Sequence, residues 1–275
     1  MNSNSSQSRK ISLVISDVDG TLINQDKVLT EKTKTAIAKL EQAGILFTVT
    51  SARPPFGMKM IIDTLKIQHP FGAFNGGLIL KPDFSVISCT PLAPQIMPDV
   101  ITTIEDFGLD VWLCSNDHWY LKDSQGVHVD HHSQTLKFEP TVIENYQDIE
   151  DGVIKIVGVG KDVDTVAQCE TATQEKFRDR LSATRSQPYY LDITQPDANK
   201  GQVVTKLADY LSIPLAEIVT IGDNYNDIAM FKQSGISIAM GNASERVQQK
   251  ATYITTSNQE EGFANAIERF VLGVN

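Results

Sequence analysis

The sequence predicts an α/β protein: a parallel sheet covered by helices, with an α+β segment inserted into it. Three observations carry this. Short apolar runs alternate with amphipathic helical stretches over residues 11–80, and again over 200–275, the rhythm of strands joined by helical crossovers. Between them, from about 84 to 194, the strands become shorter and hairpin-like. Polar and acidic residues recur just past the predicted parallel strands, at the carboxyl ends where open α/β sheets bind ligands.

Each element follows from local pattern. Residues 1–10, "MNSNSSQSRK", are polar, lack the apolar core of a signal peptide and are expected as a disordered tail. "ISLVIS" (11–16) reads as a fully buried parallel strand. Thr30 caps a helix running to about Ala43, with Ala36, Ile37, Leu40 and Ala43 on its apolar face, and Gly44 stops it. "ILFTVT" (45–50) is a second strand. "SARPP" then leads into a helix over about 55–66, proline being tolerated at its start, with Met58, Met60 and Ile61 as helix-face hydrophobes. "FGAFNGGLIL" (71–80) reads as two short strands broken at Asn75, Gly76 and Gly77.

In the inserted segment "SVISC", "DVWLCS", "HWYLKD", "VIKIVGVG", "LSATRS" and "YYLDIT" read as strands, with helices near 95–107 and 162–177. "HVDHH" (128–132) is expected as a polar loop; no further ligand cluster lies close to it in sequence, which argues against a metal site there. Trp112, Trp119 and Tyr120 are expected as packing or substrate-facing residues rather than a stacking platform for nucleic-acid bases. The parallel rhythm returns with a helix over 200–211, "EIVTIG" (217–222), a helix over about 226–233, "ISIAM" (236–240), a helix over about 244–250, a short "YITT" strand and a helix from Gly262. The expected organisation is a tail (1–10), a split core domain (11–83 with 195–275) and an inserted domain (84–194).

Composition bounds the function. With 41% hydrophobic and 21% charged residues, the 275-residue chain has the make-up of a soluble globular protein. Its formal net charge of −10 argues against nucleic acid or an anionic membrane as partner, and no apolar stretch is long enough to span a bilayer. Cys89, Cys114 and Cys169 show neither disulfide-framework nor metal-site spacing, which fits reduced thiols and a cytoplasmic location. No feature of the chain points to an oligomeric state.

The chemistry collects around "VISDVDGTLINQD" (14–26), where an apolar run ends on two carboxylates two positions apart. Carboxylates are rarely buried unless paired or metal-bound, and Gly20 suggests a sharp turn directly after them. Ser51, Asn75, Asp223, Asn226 and Asp227 fall at or just past other strand ends, and Lys200 opens a helix. Three acids and a lysine in such places suggest a divalent cation beside a phosphate. Mg²⁺ takes oxygen ligands and needs only one or two carboxylates, while a lysine, a hydroxyl and free amides hold phosphoryl oxygens. Plainer roles compete: Ser51 as an ordinary helix N-cap, Asp223 and Asp227 as acids favoured by a helix start, and Lys200 as a surface lysine, which the helix dipole does not favour.

"DVDGTL" (17–22), "TVTSARP" (48–54), "NKG" (199–201) and "IGDNYNDIAMF" (221–231) resemble the four ordered motifs of the haloacid dehalogenase superfamily of phosphatases. "FNGGLI", "RSQPYYLDITQPDANKG" and "GISIAMGNA" agree with its Cof-type branch. The resemblance covers nearly the whole chain from Ile11 and implies a Rossmann-like core. Only 33 residues lie between Asp17 and Ser51, but 148 lie between Ser51 and Lys200. The resemblance then implies a type IIB cap in the longer interval.

It further implies that Asp17 is the nucleophile, forming an aspartyl-phosphate. Asp19 would protonate the leaving oxygen and then activate water. The implied Mg²⁺ ligands are Asp17, Asp223 and the main-chain carbonyl of Asp19, with Asp227 in or near the shell. Ser51, Ala52 and the backbone of Val18 would hold phosphoryl oxygens, Lys200 would neutralise phosphate and nucleophile, and Asn226 would contact the bound substrate. Ser51 stands where threonine is common and Ala52 where glycine is usual, so Ala52 needs a backbone comfortable for a Cβ. "PDAN" before Lys200 also departs from the usual turn, which leaves the lysine's placement to the structure.

The expected partner is a small phosphorylated metabolite, a sugar phosphate first by family analogy. Arg185 and the loops at 117–118 and 128–132 are candidates for selecting it. A phosphotransferase or mutase would use the same aspartyl-phosphate but return the phosphoryl group to a hydroxyl. A non-enzymatic phosphoacceptor of the response-regulator type orders Asp, Ser/Thr and Lys similarly, yet places its metal-binding acids before the phosphorylated Asp and has no inserted domain. A dehalogenase has no need of an acid/base two residues after its nucleophile.

Overall fold

A computed structural model describes residues 10–149 and 152–274. Residues 1–9 of the expected tail lie outside the described residues. The chain opens with β1 (Leu13–Ser16), α1 (Glu31–Gln42), β2 (Leu46–Val49) and α2 (Pro55–Leu65). Three short strands follow: β3 (Phe71–Ala73), β4 (Leu78–Leu80) and β5 (Val86–Cys89). Next come α3 (Met97–Asp106), β6 (Asp110–Cys114), β7 (Trp119–Leu121), α4 (Val129–Leu136) and β8 (Thr141–Val142). Then β9 (Lys155–Val159), α5 (Val163–Phe177), β10 (Ser182–Gln187) and β11 (Tyr190–Thr194) lead to α6 (Lys200–Leu211). The chain closes with β12 (Ile218–Gly222), α7 (Ile228–Phe231), β13 (Ile236–Ala239), α8 (Glu245–Gln248), β14 (Tyr253–Ile254) and α9 (Gly262–Ala266). Among the described residues no helix is long and apolar enough to cross a membrane.

Two compact units divide the chain. The first runs to Thr50 and takes in Ile67–Phe71 and everything from Lys200. Its five strands are parallel, in the order β14-β13-β12-β1-β2, with Leu13 opposite both Ile218 and Leu46. Every residue of β1 is buried, Ser16 included, in keeping with its central place in a parallel sheet. From β1 the order advances to β2 on one side, and from β12 to β13 and β14 on the other. The switch point lies between β1 and β12, where such sheets bind ligands. Thr30 caps α1, accepting from the Thr33 amide (3.2 Å), and Ala36, Ile37 and Leu40 are buried. Ala43, expected on that face, is exposed instead: it is the C-cap, and Gly44 at φ 73° turns the chain away.

The second unit comprises Ser51–Lys66 and Gly72–Asn199. α2 belongs to it through Phe56, which stacks on Phe138 (ring centroids 3.8 Å apart). Met58 and Ile61 on that helix are fully buried, but Met60 is 49% exposed, being off the three-and-four-residue spacing of one helix face. The main sheet has the order β10-β11-β9-β6-β7-β8 and is antiparallel apart from β7 with β8. One of its faces packs Val111, Leu113, Ile156, Leu191 and Ile193 with Val100 and Ile104 of α3 and Val166 of α5.

The segment 128–132, expected as a polar loop, instead enters α4. Its sequence is polar, but Val129 and Ser133, four residues apart, are both buried, so tertiary packing rather than propensity makes the helix. The two-residue β8, absent from the sequence expectations, exists through its parallel pairing with β7. Cys89, Cys114 and Cys169 are free thiols.

His132 on α4 lies against Trp112 (5.0 Å between ring centroids), Trp119 (4.9 Å) and Tyr190 (5.7 Å). Burial, with Lys155 and His131 adding to it, pushes the imidazole down from 6.5 to about 3. A base depressed in the folded state contributes stability that is present above its unfolded pKa and lost as pH falls. Melting curves should therefore show about 2 kcal/mol of loss over the first 1.5 pH units or so below 6.5. His132→Phe should flatten that acid limb. An unchanged limb would remove the assignment.

Candidate active site

β1 ends at Ser16 and delivers Asp17, whose amide donates to the Ile221 carbonyl of β12 (2.9 Å). Asp17 is therefore buried at the switch point, 5% exposed. β12 ends at Gly222, and a turn over 223–227 brings Asp227 back beneath it. A Cβ at Gly222 would lie 2.4 Å from the Asp227 carboxyl carbon, so only glycine allows this approach. Asp227 Oδ2 accepts from the amides of Asp223 and Asn224 (both 2.8 Å). Its Oδ1 accepts from Lys200 Nζ at 2.6 Å, and the same Nζ donates to Asp17 Oδ1 at 2.7 Å.

Lys200 is no surface lysine: it is 1% exposed and opens α6. The dipole disfavours a cation there, but two carboxylates outweigh it. One oxygen each from Asp17, Asp223 and Asp227 lies within 4.8 Å of the others. This is the one such group of potential metal ligands among the described residues, and 128–132 contributes to none.

Three carboxylates thus face one ammonium. Burial raises Asp17 well above the carboxylate range; Lys200 opposes this, and the charges of Asp227 and Asp223 add to it. Asp223 is pushed up to about 6, by burial first and Asp227 second. Burial alone would lower Lys200, but Asp17 and Asp227 together hold it above its ordinary value. The surplus negative charge and all-oxygen donor set suit a hard divalent cation.

The loop after Asp17 is wound tightly. The carbonyl of buried Val18 accepts from the amides of Leu22 (2.9 Å) and Ile23 (3.1 Å). Gly20 sits at φ +80°, and a Cβ there would fall 2.3 Å from Asp223 Oδ2. Thr21 Oγ1 donates to Asp223 Oδ1 (2.9 Å), and Asn242 Nδ2 donates to the Gly20 carbonyl (2.9 Å). Asn258 supports both sides: its amide donates to Asn242 Oδ1 (2.9 Å) and its side chain to the Ile23 carbonyl (3.0 Å). The chain turns after Asp17 rather than continuing as a straight strand, and Asp19 is not among the three acids whose oxygens converge. It pairs with Lys27 Nζ at 2.8 Å on the surface.

Ser51 follows directly on Thr50, past β2, and belongs to the second unit. It is not a helix cap: α2 is entered through Pro54, and Ser51 Oγ accepts from the Arg53 amide (3.1 Å). Its own amide donates to the Gly72 carbonyl (3.0 Å), and its carbonyl accepts from Asn75 (2.8 Å). Ala52 is half-buried and is not among the residues of positive φ, so its Cβ is accommodated. Asn226 is half-buried in the turn over 225–227.

Sequence reasoning left Thr21, Lys27, Asn242 and Asn258 unassigned. Thr21 lies inside "DVDGTL" and Asn242 inside "GISIAMGNA", which was the available signal. Lys27 and Asn258 carried none.

A parallel sheet that folds acids from two strand ends onto one buried lysine marks an α/β-fold hydrolase of the haloacid dehalogenase type. The model of the haloacid dehalogenase-like hydrolases matches residues 14–267, and the chain belongs to that family, in its Cof-type branch. It is 30% identical to a 5-amino-6-(5-phospho-D-ribitylamino)uracil phosphatase of Bacillus subtilis, over 94% of this chain and 97% of that one. The crystal structure of a haloacid dehalogenase-like hydrolase from Bacteroides thetaiotaomicron matches with a TM-score of 0.85 at 26% identity, covering 94% of this chain and 99% of that one. A subclass IIB sugar phosphatase of the superfamily shares the fold, with a TM-score of 0.81 at 20% identity over 94% of this chain and 98% of its own. The protein is a phosphoric monoester hydrolase acting on small phosphorylated substrates.

Proposed function

We propose that the protein hydrolyses small phosphorylated metabolites, sugar phosphates foremost, through an aspartyl-phosphate on Asp17 with Mg²⁺ as cofactor. The observation that supports this most directly is the buried Asp17 carboxylate at the end of the central strand, 2.7 Å from Lys200 Nζ. In the first step an Asp17 oxygen bonds to phosphorus as the ester P–O bond breaks, and Asp19 gives its proton to the departing oxygen. In the second, Asp19 takes a proton from water; the water oxygen bonds to phosphorus, and phosphate leaves with Asp17 regenerated. Lys200 offsets the charge of phosphate and nucleophile, and Asp227 keeps it in place. Ser51 and the amides of Val18 and Ala52 hold phosphoryl oxygens, while Asn226 contacts the substrate. Asp17, Asp223, Asp227 and the Asp19 carbonyl would hold Mg²⁺, which when bound supplies charge stabilisation to the phosphoryl oxygens.

Residues 84–194 would act as the cap that selects the leaving group, in a cytoplasmic enzyme that binds neither nucleic acid nor membrane. A screen of sugar phosphates, nucleotides, flavin mononucleotide, pyridoxal phosphate and ribitylaminouracil phosphate tests the substrate class. Isomerised phosphate ester in place of free phosphate would mark a mutase instead. For the metal, chelator should silence the enzyme. Asp223→Asn replaces a carboxylate by a neutral amide, so its activity should return only at higher Mg²⁺ than the wild type needs. Full activity in chelator would refute the metal requirement.

A further inference from the structure

We propose that Asn242, aimed by Asn258, is a positioning residue for the metal: it fixes the Asp19–Gly20 peptide and the Asp223 carboxylate in the arrangement that takes Mg²⁺, without being a ligand itself. The proposal rests on the metal reading above and adds two residues that the hydrolytic scheme does not use.

Asn242 stands in the loop between β13 and α8. The five core strands are parallel, so this loop lies at the same edge of the sheet as Asp17 and Asp223. The Asn242 side chain is exposed, yet its nitrogen and its oxygen both have protein partners. Nδ2 donates to the Gly20 carbonyl at 2.9 Å and makes a longer contact, 3.5 Å, with Asp223 Oδ2. Oδ1 accepts from the main-chain amide of Asn258 at 2.9 Å. A main-chain N–H can only donate, so the Asn258 amide decides which end of the side chain faces the acids. That end is the donor. The oxygen, the one atom of this side chain suited to a hard cation, is engaged with Asn258 instead.

Two further contacts stiffen this orientation. The Gly241 amide donates to the Thr256 carbonyl (3.0 Å), and a Cβ on Gly241 would fall 2.7 Å from the Ser257 nitrogen. The loop carrying Asn242 therefore lies directly on the one carrying Asn258. From α8, Gln248 Nε2 donates to the carbonyls of Ala243 (3.0 Å) and Gly241 (3.2 Å). A side chain locked in this way can hold its target in a narrow range of positions.

Its targets are groups assigned to the metal. The carbonyls on either side of Asp19 are both tied down, Val18 by the amides of Leu22 and Ile23, Gly20 by Asn242. With the flanking peptides fixed, the Asp19 carbonyl between them has a fixed direction. Asn258 Nδ2 pins the far end of the loop through the Ile23 carbonyl (3.0 Å). On Asp223, Thr21 Oγ1 donates to Oδ1 (2.9 Å) while Asn242 faces Oδ2, so both carboxylate oxygens meet donors. Outer partners of this kind set metal affinity by a factor of about 10 to 100.

Charge and position predict opposite signs for one substitution. Asn242→Asp adds a negative charge beside Asp17, Asp223 and Asp227, which on Coulombic grounds alone tightens a divalent cation. It also removes the donor to Gly20 and sets a like charge against Asp223, which on the positioning role weakens the cation.

Mg²⁺ binding to the full-length protein is measured by titration calorimetry and by the rise in melting temperature that the ion produces. Asn242→Ala should raise the dissociation constant about 10-fold or more. Its melting temperature in chelator should stay within about 3 °C of the wild type, as for other exposed substitutions. Asn242→Asp should weaken binding as well. An unchanged dissociation constant in Asn242→Ala, or tighter binding in Asn242→Asp, overturns the role. A lower melting temperature in chelator with unaltered Mg²⁺ affinity overturns it too and assigns Asn242 to the fold. Wild-type protein that takes up no Mg²⁺ refutes the metal reading together with the proposal, whereas a wild-type response that both variants keep refutes the proposal alone.

Discussion

Asp17→Asn is expected to abolish turnover while the metal-free protein keeps or gains thermal stability. The amide is a far poorer nucleophile at phosphorus, and loss of a covalent nucleophile costs at least about 10⁴ in rate. The stability result follows from the environment. Burial and the neighbouring Asp227 and Asp223 already push the Asp17 carboxyl well above its usual range, so its charge is costly in the folded state. A raised acid pKa means that the folded state prefers the protonated, neutral form. Stability from this group is therefore lost as pH rises through the carboxylate range. A neutral isostere removes that penalty, and Lys200 retains Asp227 as partner at 2.6 Å. Wild-type protein should in turn be stabilised by added Mg²⁺ through mass action, and the Asp17→Asn change should blunt that response. Residual turnover above about one part in a thousand in a metal-replete assay would displace Asp17 as nucleophile. A collapsed melting temperature would show instead that the carboxylate is structural.

Asp19→Asn should lower the rate by about 10² to 10⁴, the usual worth of a positioned acid/base, without disturbing the fold. Its side chain is surface-lying and paired with exposed Lys27, and such pairs contribute about 0–1 kcal/mol. The main-chain carbonyl survives the change, so Mg²⁺ affinity should fall less than in Asp223→Asn. Aryl phosphates, whose leaving groups need little protonation, should suffer least in the first step. If water attack becomes limiting, the aspartyl-phosphate should accumulate and be trapped by rapid quench. Single-turnover phosphorylation isolates the leaving-group step. Equal losses there on alkyl and aryl esters would remove Asp19 from that role.

Much of the architecture was legible from residue order because it is set by local patterns. The Thr30 cap, the Gly44 stop and the 200–211 helix are found where short-range signals put them. So is the break of 71–80 into two strands: Asn75 takes a left-handed conformation (φ 55°) between β3 and β4. The four motifs were likewise legible, since each sits at a strand or helix end that hydrophobic runs already marked. Local pattern misjudged α4, a polar segment whose Val129 and Ser133 are buried by tertiary packing.

What the tertiary structure alone decided is the pairing of distant groups. Lys200 reaches Asp17 across 183 positions and Asp227 across 27, and its burial between them depends on β1 and β12 being neighbours in the sheet. Asn242 and Asn258 brace a loop more than 200 positions away, and the carboxylate of Asp19 pairs with Lys27. Hydrophobic periodicity reports which side of a strand or helix is buried. It contains no term for which strand lies beside which, and that adjacency sets the charge, burial and reach of every group at the site.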